Sequence, residues 1–169
     1  MEQLNRKWNK ILRLLFEYPT QSFTIREIAI KTKMPTTSVQ RYIMQIKEKK
    51  LIDQKNRLIP SAYTKFIKTF FIIEQLHLSG LLDYLEKIYA PSAIILFGSI
   101  RKGEYEKESD IDIFIETSKE KKESDLKEFE KKLGHPIQLF IHKDIKELPN
   151  NLFNNVINGI KLQGYFTVK

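Results

Sequence analysis

Asp110 and Asp112, separated by one residue, and an upstream Gly98-Ser99 pair are the residues of this chain whose types and spacing suit chemistry. Alternation along an extended chain puts both aspartates on one face, a few ångströms apart. Two carboxylates that close repel each other unless a cation lies between them. Mg²⁺, or Mn²⁺ in its place, suits paired carboxylates and phosphate oxygens alike. Gly98 lets the backbone approach a ligand closely, and Ser99 adds a hydroxyl beside exposed amides. The chemistry this implies is a phosphate-bearing substrate bridged by metal to two carboxylates.

The elements that must position these residues are short. The apolar run Ala93 to Phe97 predicts a strand feeding Gly98-Ser99 at a tight turn. A charged loop, 100–109, follows, and Asp110-Ile-Asp112 leads into a second apolar strand through Ile113-Phe114-Ile115. Leu-Phe-Gly98-Ser99-Ile-Arg-Lys102-Gly103 followed by Ser109-Asp110-Ile-Asp112-Ile resembles the nucleotidyltransferase superfamily, the group that includes DNA polymerase beta. The nearest likeness is to the minimal nucleotidyltransferases, and it runs from Leu78 to the C-terminus. Lys102 stands where the family often has Arg. The resemblance implies that Gly98, Ser99, Lys102 and Ser109 contact a nucleoside triphosphate, ATP or another. It also implies that Asp110 and Asp112 are catalytic metal ligands.

One expected group is absent. The family carries a third carboxylate on the strand after the next helix, and matching Ile137-Gln-Leu-Phe-Ile141 to that strand places Gln138 there. An amide is neutral at every pH and cannot act as a base. Nucleotide binding should survive this change better than catalysis. Glu116 lies on the Asp110 face but too far along the strand to substitute. Asp144 falls beyond the apolar strand, and His142 shares the Gln138 face. His77 and His135 belong to no pattern and receive no role.

Composition narrows the classes. The chain has 169 residues, room for two small domains, and no cysteine, which excludes disulfides and thiolate sites and suits a cytoplasmic setting. The first residues lack the apolar core of a signal peptide, and no run is long enough to cross a bilayer. Residues 1–60 hold 13 Lys and Arg against 5 Asp and Glu, a net of +8, while residues 61–169 hold 16 of each. All the excess positive charge lies in the first third, which points that third at a polyanion.

That third reads as three helices and a hairpin. Leu4 to Tyr18 has Trp8, Ile11, Leu12, Leu15 and Phe16 on one face, and Pro19 ends it. Ser22 to Ile30 reads as a second helix, with Thr24 and Glu27 as a capping box. Thr36 or Thr37 is expected to cap a third helix running to Lys50, with Val39, Ile43 and Ile46 inward. Residues 51–60 read as two short strands around a Lys-Asn turn. This order resembles a winged helix-turn-helix. The resemblance implies duplex DNA contact by Thr36, Thr37, Ser38, Gln40, Arg41 and Lys47, with Lys55 and Arg57 on the wing. Protein contact alone is the competing use of such a module.

The fold expected is α+β in two domains. Residues 1–60 form the winged helix-turn-helix, 61–78 a connecting helix, and 79–169 a small nucleotidyltransferase fold with helices packed on a short mixed sheet. The connecting helix is apolar on several faces and so needs cover on several: it could pack between the two domains or against a second copy of the chain, and the second suggests a homodimer. Leu81 to Tyr89 continues as helix, Lys119 to Leu133 reads as a charged helix, and Leu148 to Leu162 as a last one.

Two functions follow. In one, an enzyme transfers a nucleoside monophosphate to a hydroxyl on a protein, small molecule or nucleic acid end. The resemblance includes minimal members that adenylylate a partner toxin. In the other, a DNA-binding transcriptional regulator carries a catalytically weak nucleotidyltransferase domain that binds nucleotide or a partner.

Overall fold

The computed structural model describes residues 6–119 and 124–166. The chain divides into two units. One holds the residues up to Lys65 together with Tyr105–Lys107, and the other holds Phe66–Glu104 and the residues from Glu108 onward.

In the first unit, α1 (Arg6–Glu17), α2 (Ile25–Thr32) and α3 (Thr36–Glu48) are followed by a single bridge between Ile52 and Leu58. The expected start of α1 at Leu4 lies outside the described residues. Its apolar stripe is buried from Trp8 to Phe16, and Trp8 meets Tyr42 of α3 edge to face at 6.2 Å. The capping box of α2 is present: the Glu27 N–H donates to Thr24 Oγ1 at 3.2 Å, and the Thr24 N–H donates to Glu27 Oε2 at 2.7 Å. α3 departs from expectation at its start. Pro35 is the N-cap and no side chain caps it, because Thr36 and Thr37 already lie in the first turn. Val39, Ile43 and Ile46 are buried.

The expected two strands after α3 reduce to one bridge. The Asp53 carboxylate takes the N–H groups of both Lys55 and Arg57 at 2.9 Å, closing a tight turn; the bridge is flanked by the Asp53 N–H donating to the Arg57 carbonyl at 2.8 Å and the Ile59 N–H donating to the Leu51 carbonyl at 2.9 Å. Asn56 takes the left-handed conformation there, with φ of 56°, and its Nδ2 donates to the Phe23 carbonyl at 2.8 Å. Tyr105 is buried in this unit, and burial first, then the Glu17 charge, pushes its phenol above the usual tyrosine range. The Lys107 N–H donates to the Glu17 carbonyl at 3.0 Å.

The second unit begins within α4 (Ala62–Ser79) and continues through α5 (Leu81–Tyr89), β1 (Ala93–Phe97), α6 (Gly98–Lys102), β2 (Ile111–Glu116), α7 (Lys127–Leu133), β3 (Ile137–His142), a 3₁₀ turn (Ile145–Glu147), α8 (Asn150–Ile157) and β4 (Ile160–Gly164). The strands form one mixed sheet in the order β3-β2-β1-β4. β1 runs antiparallel to both neighbours and β2 runs parallel to β3. β1 is buried along its length, as a central strand covered on both faces must be. One core cluster joins Ile95, Phe97 and Phe114 to Ile145, Leu148 and Val156.

Two expectations are corrected here. The last helix stops at Ile157, and the tail returns as β4. Gly159 permits this, since a Cβ there would lie 2.8 Å from the Leu96 carbonyl oxygen. The charged helix starts at Lys127, where Asp125 Oδ1 accepts the Lys127 N–H at 3.2 Å, while residues 120–123 of the expected span lie outside the described residues. Within the single chain α4 buries Phe71, Ile72 and Leu76, while Phe66 is 62% exposed and stacks on Phe70 at 6.3 Å. No helix among the described residues is long and apolar enough to cross a membrane.

Candidate active site

β1 delivers Gly98 at its carboxyl end, and the antiparallel register sets Phe97 opposite Asp112 on β2. Gly98 takes φ of 71°, a left-handed conformation that costs other residues energy. A Cβ at Gly98 would overlap Asp112 Oδ2, so the space a side chain would fill is the space the carboxylate occupies. The Gly-Ser pair opens the short helix α6 and not the tight turn expected, because the φ of Gly98 turns the chain while the next residues take helical dihedrals. Ile100 anchors α6 in the core, and Ser99 is half-buried while Lys102 is exposed. The Thr69 hydroxyl of α4 donates to the Ile100 carbonyl at 3.0 Å, satisfying the C-terminal end of α6.

The two aspartates differ in setting. Asp112 lies in β2 and is half-buried, whereas Asp110 lies just before the strand and is exposed. Burial, and then the Asp110 charge, push the Asp112 carboxyl above the usual aspartate range. β3 pairs in parallel with β2 so that Gln138 stands directly beside Asp112. Its amide is exposed. Asp110, Asp112 and the Gln138 amide carbonyl would offer oxygen donors alone, the kind that suits Mg²⁺ or Mn²⁺. Among the described residues no group of three or more His, Cys, Asp or Glu could hold a metal ion.

Glu116, Asp144 and His142 are engaged elsewhere. Glu116 accepts the Ser92 hydroxyl at 2.7 Å and the Ile145 N–H at 3.1 Å. Asp144 Oδ1 accepts the Lys146 N–H at 2.8 Å. His142 pairs in register with Glu116, four residues along β3 from Gln138, or about 13 Å at strand rise. Two groups that bear on the site carry no sequence signal. Thr69 and His135 act through backbone carbonyls distant in the chain, and no spacing rule reports such contacts.

The candidate polyanion-binding residues lie in the first unit. Thr36, Thr37, Gln40 and Arg41 are exposed on α3, and Ser38 is half-buried. The Arg41 guanidinium lies 5.2 Å from the Tyr42 ring centroid. Lys55 is exposed at the turn. Lys47 and Arg57 are less available than expected: Lys47 donates to the Gln54 carbonyl at 3.3 Å, and Arg57 pairs with Asp53 at 3.3 Å.

A strand, a Gly-Ser helix start and an aspartate pair at the start of the adjoining strand, Asp110 just before it and Asp112 within it, mark a nucleotidyl-transfer fold in the second unit. Residues 78–162 match the family model of the nucleotidyltransferase domain, and the chain belongs to that family. No curated protein and no solved structure matches the chain.

Proposed function

We propose that this nucleotidyltransferase takes ATP as its donor and moves the nucleoside monophosphate to a hydroxyl acceptor with Mg²⁺. The observation that carries this reading is the Gly98 cradle over Asp112, with Asp110 alongside in sequence. Asp110 and Asp112 would hold the metal. When bound, the ion would neutralise phosphate charge and stabilise the in-line displacement. Ser99 and Ser109 would hold phosphate oxygens, and Lys102 would offset their charge. The acceptor oxygen bonds to the α-phosphorus, the bond to the pyrophosphate oxygen breaks, and pyrophosphate leaves. The hydroxyl proton passes to solvent, since Gln138 cannot take it.

Incubation with α-labelled ATP and Mg²⁺ or Mn²⁺, alone and with cell extract, tests this. Transfer of label by the wild type and not by the Asp110→Asn/Asp112→Asn variant is the expected result. Equal labelling by both would remove the site.

A second reading has its own observation, Gln138 beside Asp112. In it the domain binds Mg-ATP but transfers weakly, and the protein is a transcriptional regulator. Nucleotide binding without label transfer would select it.

In either case the first unit would be a winged helix-turn-helix on duplex DNA. The net charge of +8 in residues 1–60 and the exposed Thr36, Thr37, Gln40 and Arg41 support this. The exposed, stacked Phe66 and Phe70 support pairing of α4 with a second copy of the chain.

A further inference from the structure

Asp110 is exposed and lies outside the strand ladder, so its own surroundings do little to hold it. A metal ligand needs a fixed backbone beneath it. The residues on either side of Asp110 are tied to one short segment, His135-Pro136. His135 is 2% exposed, and its Nδ1 lies 2.9 Å from the Ser109 carbonyl oxygen. A carbonyl only accepts, so Nδ1 carries the proton. The Ile111 N–H donates to the Pro136 carbonyl at 2.8 Å. The segment is itself anchored. Gly134 ends α7 with φ of 79°, and the Ile137 N–H donates to Glu130 Oε1 at 3.0 Å.

We infer that His135 is a positioning residue for the metal site: its buried Nδ1–H holds the Ser109 carbonyl and so sets where the Asp110 carboxylate stands relative to Asp112. This rests on the reading of Asp110 and Asp112 as metal ligands. It differs from a packing role, because a packed ring of the same bulk would remove the Nδ1–H that the Ser109 carbonyl accepts. Asparagine can present its Nδ2–H close to where histidine presents Nδ1–H, whereas phenylalanine fills the space and presents nothing.

The test is a Mn²⁺ titration of the full chain, followed by the electron paramagnetic resonance of the free ion. His135→Phe should weaken Mn²⁺ binding by about 10–100-fold, the range typical of lost support behind a ligand. His135→Asn should recover most of that loss. Wild-type affinity in His135→Phe, or an equal loss in both variants, would overturn the role while leaving the metal site standing. Failure of the wild type to bind Mn²⁺, or unchanged binding in Asp110→Asn/Asp112→Asn, would overturn the metal reading and this role with it. If His135→Phe does not fold, imidazole nitrogen-15 spectra of the wild type decide. A protonated Nδ1 that shifts on Mg²⁺ saturation supports the role, and a bare Nδ1 with the proton on Nε2 overturns it.

Discussion

At the scale of single residues, Gly98 and Asp112 are one feature seen from two sides. Gly98→Ala would add both a left-handed strain and an overlap with Asp112 Oδ2. The strain alone is worth about 1–2 kcal/mol, measurable as a lower urea midpoint, and the displaced carboxylate should cost the variant its Mg-nucleotide binding. Asp112 carries a pH consequence. Its folded pKa is raised, by burial and then by Asp110, so the folded protein holds that proton more tightly than the unfolded chain does. The resulting stability is complete below the ordinary aspartate pKa and is lost as pH rises through the raised value. Asp112→Asn should therefore raise the melting temperature at pH 7 and lose that advantage below the ordinary aspartate range. Mg²⁺ should stabilise the wild type at pH 7 and not this variant. Gln138 gives a prediction of the opposite kind. Gln138→Glu places a carboxylate beside Asp112, and a positioned base contributes about 10²–10⁴-fold, so label transfer should rise, with a steeper dependence on pH.

At the scale of elements, the site depends on how the sheet edges are closed. β4 reaches β1 only because Gly159 leaves room beside Ile95 and Leu96. Gly159→Val should cost about 1–3 kcal/mol of stability through overpacking, and amide exchange should quicken first along β4. β2 and β3 matter differently: their parallel register is what puts Gln138, and no acid, next to Asp112. α4 contributes Thr69 to the end of α6 from within the second unit, while leaving Phe66 and Phe70 exposed. Pairing through that face predicts a dimer mass by light scattering and a monomer mass for Phe66→Ser/Phe70→Ser.

For the whole molecule, the uneven charge decides what to measure. Sixty residues carrying the entire net +8 should give duplex binding that falls steeply with salt. Arg41 is exposed on α3, and its loss in the full chain should cost about 1–3 kcal/mol if it reads a base. Lys47 and Arg57 already have partners within the first unit, so their alanine variants should weaken binding less than Arg41→Ala. Equal losses for all three in a gel-shift series would mean that charge alone is read.

Much of this was legible without coordinates. Apolar runs of strand length announced β1, β2 and β3, and helical spacing announced α1 to α5, because burial on one face or two leaves a period that single residues reveal. The Gly-Ser and Asp-x-Asp pattern pointed to the candidate site because its residues are close in sequence. β4 was not legible, since Ile160 to Gly164 is short and its burial depends on Gly159 fitting against a strand far upstream. The start of α3 fell at Pro35, ahead of the threonines expected to cap it, and the single bridge after it turned on the hydrogen bonds of the Asp53 carboxylate, which compete with regular structure. The sequence by itself determined the fold class, the charge division and the two aspartates. The pattern also placed Gln138 at the site, and the register sets it directly beside Asp112; only tertiary structure decided that Gly98 makes room for Asp112 and that His135 holds the backbone before Asp110. These are contacts between residues far apart along the chain, and periodicity carries no information about which distant strand or loop a residue will meet.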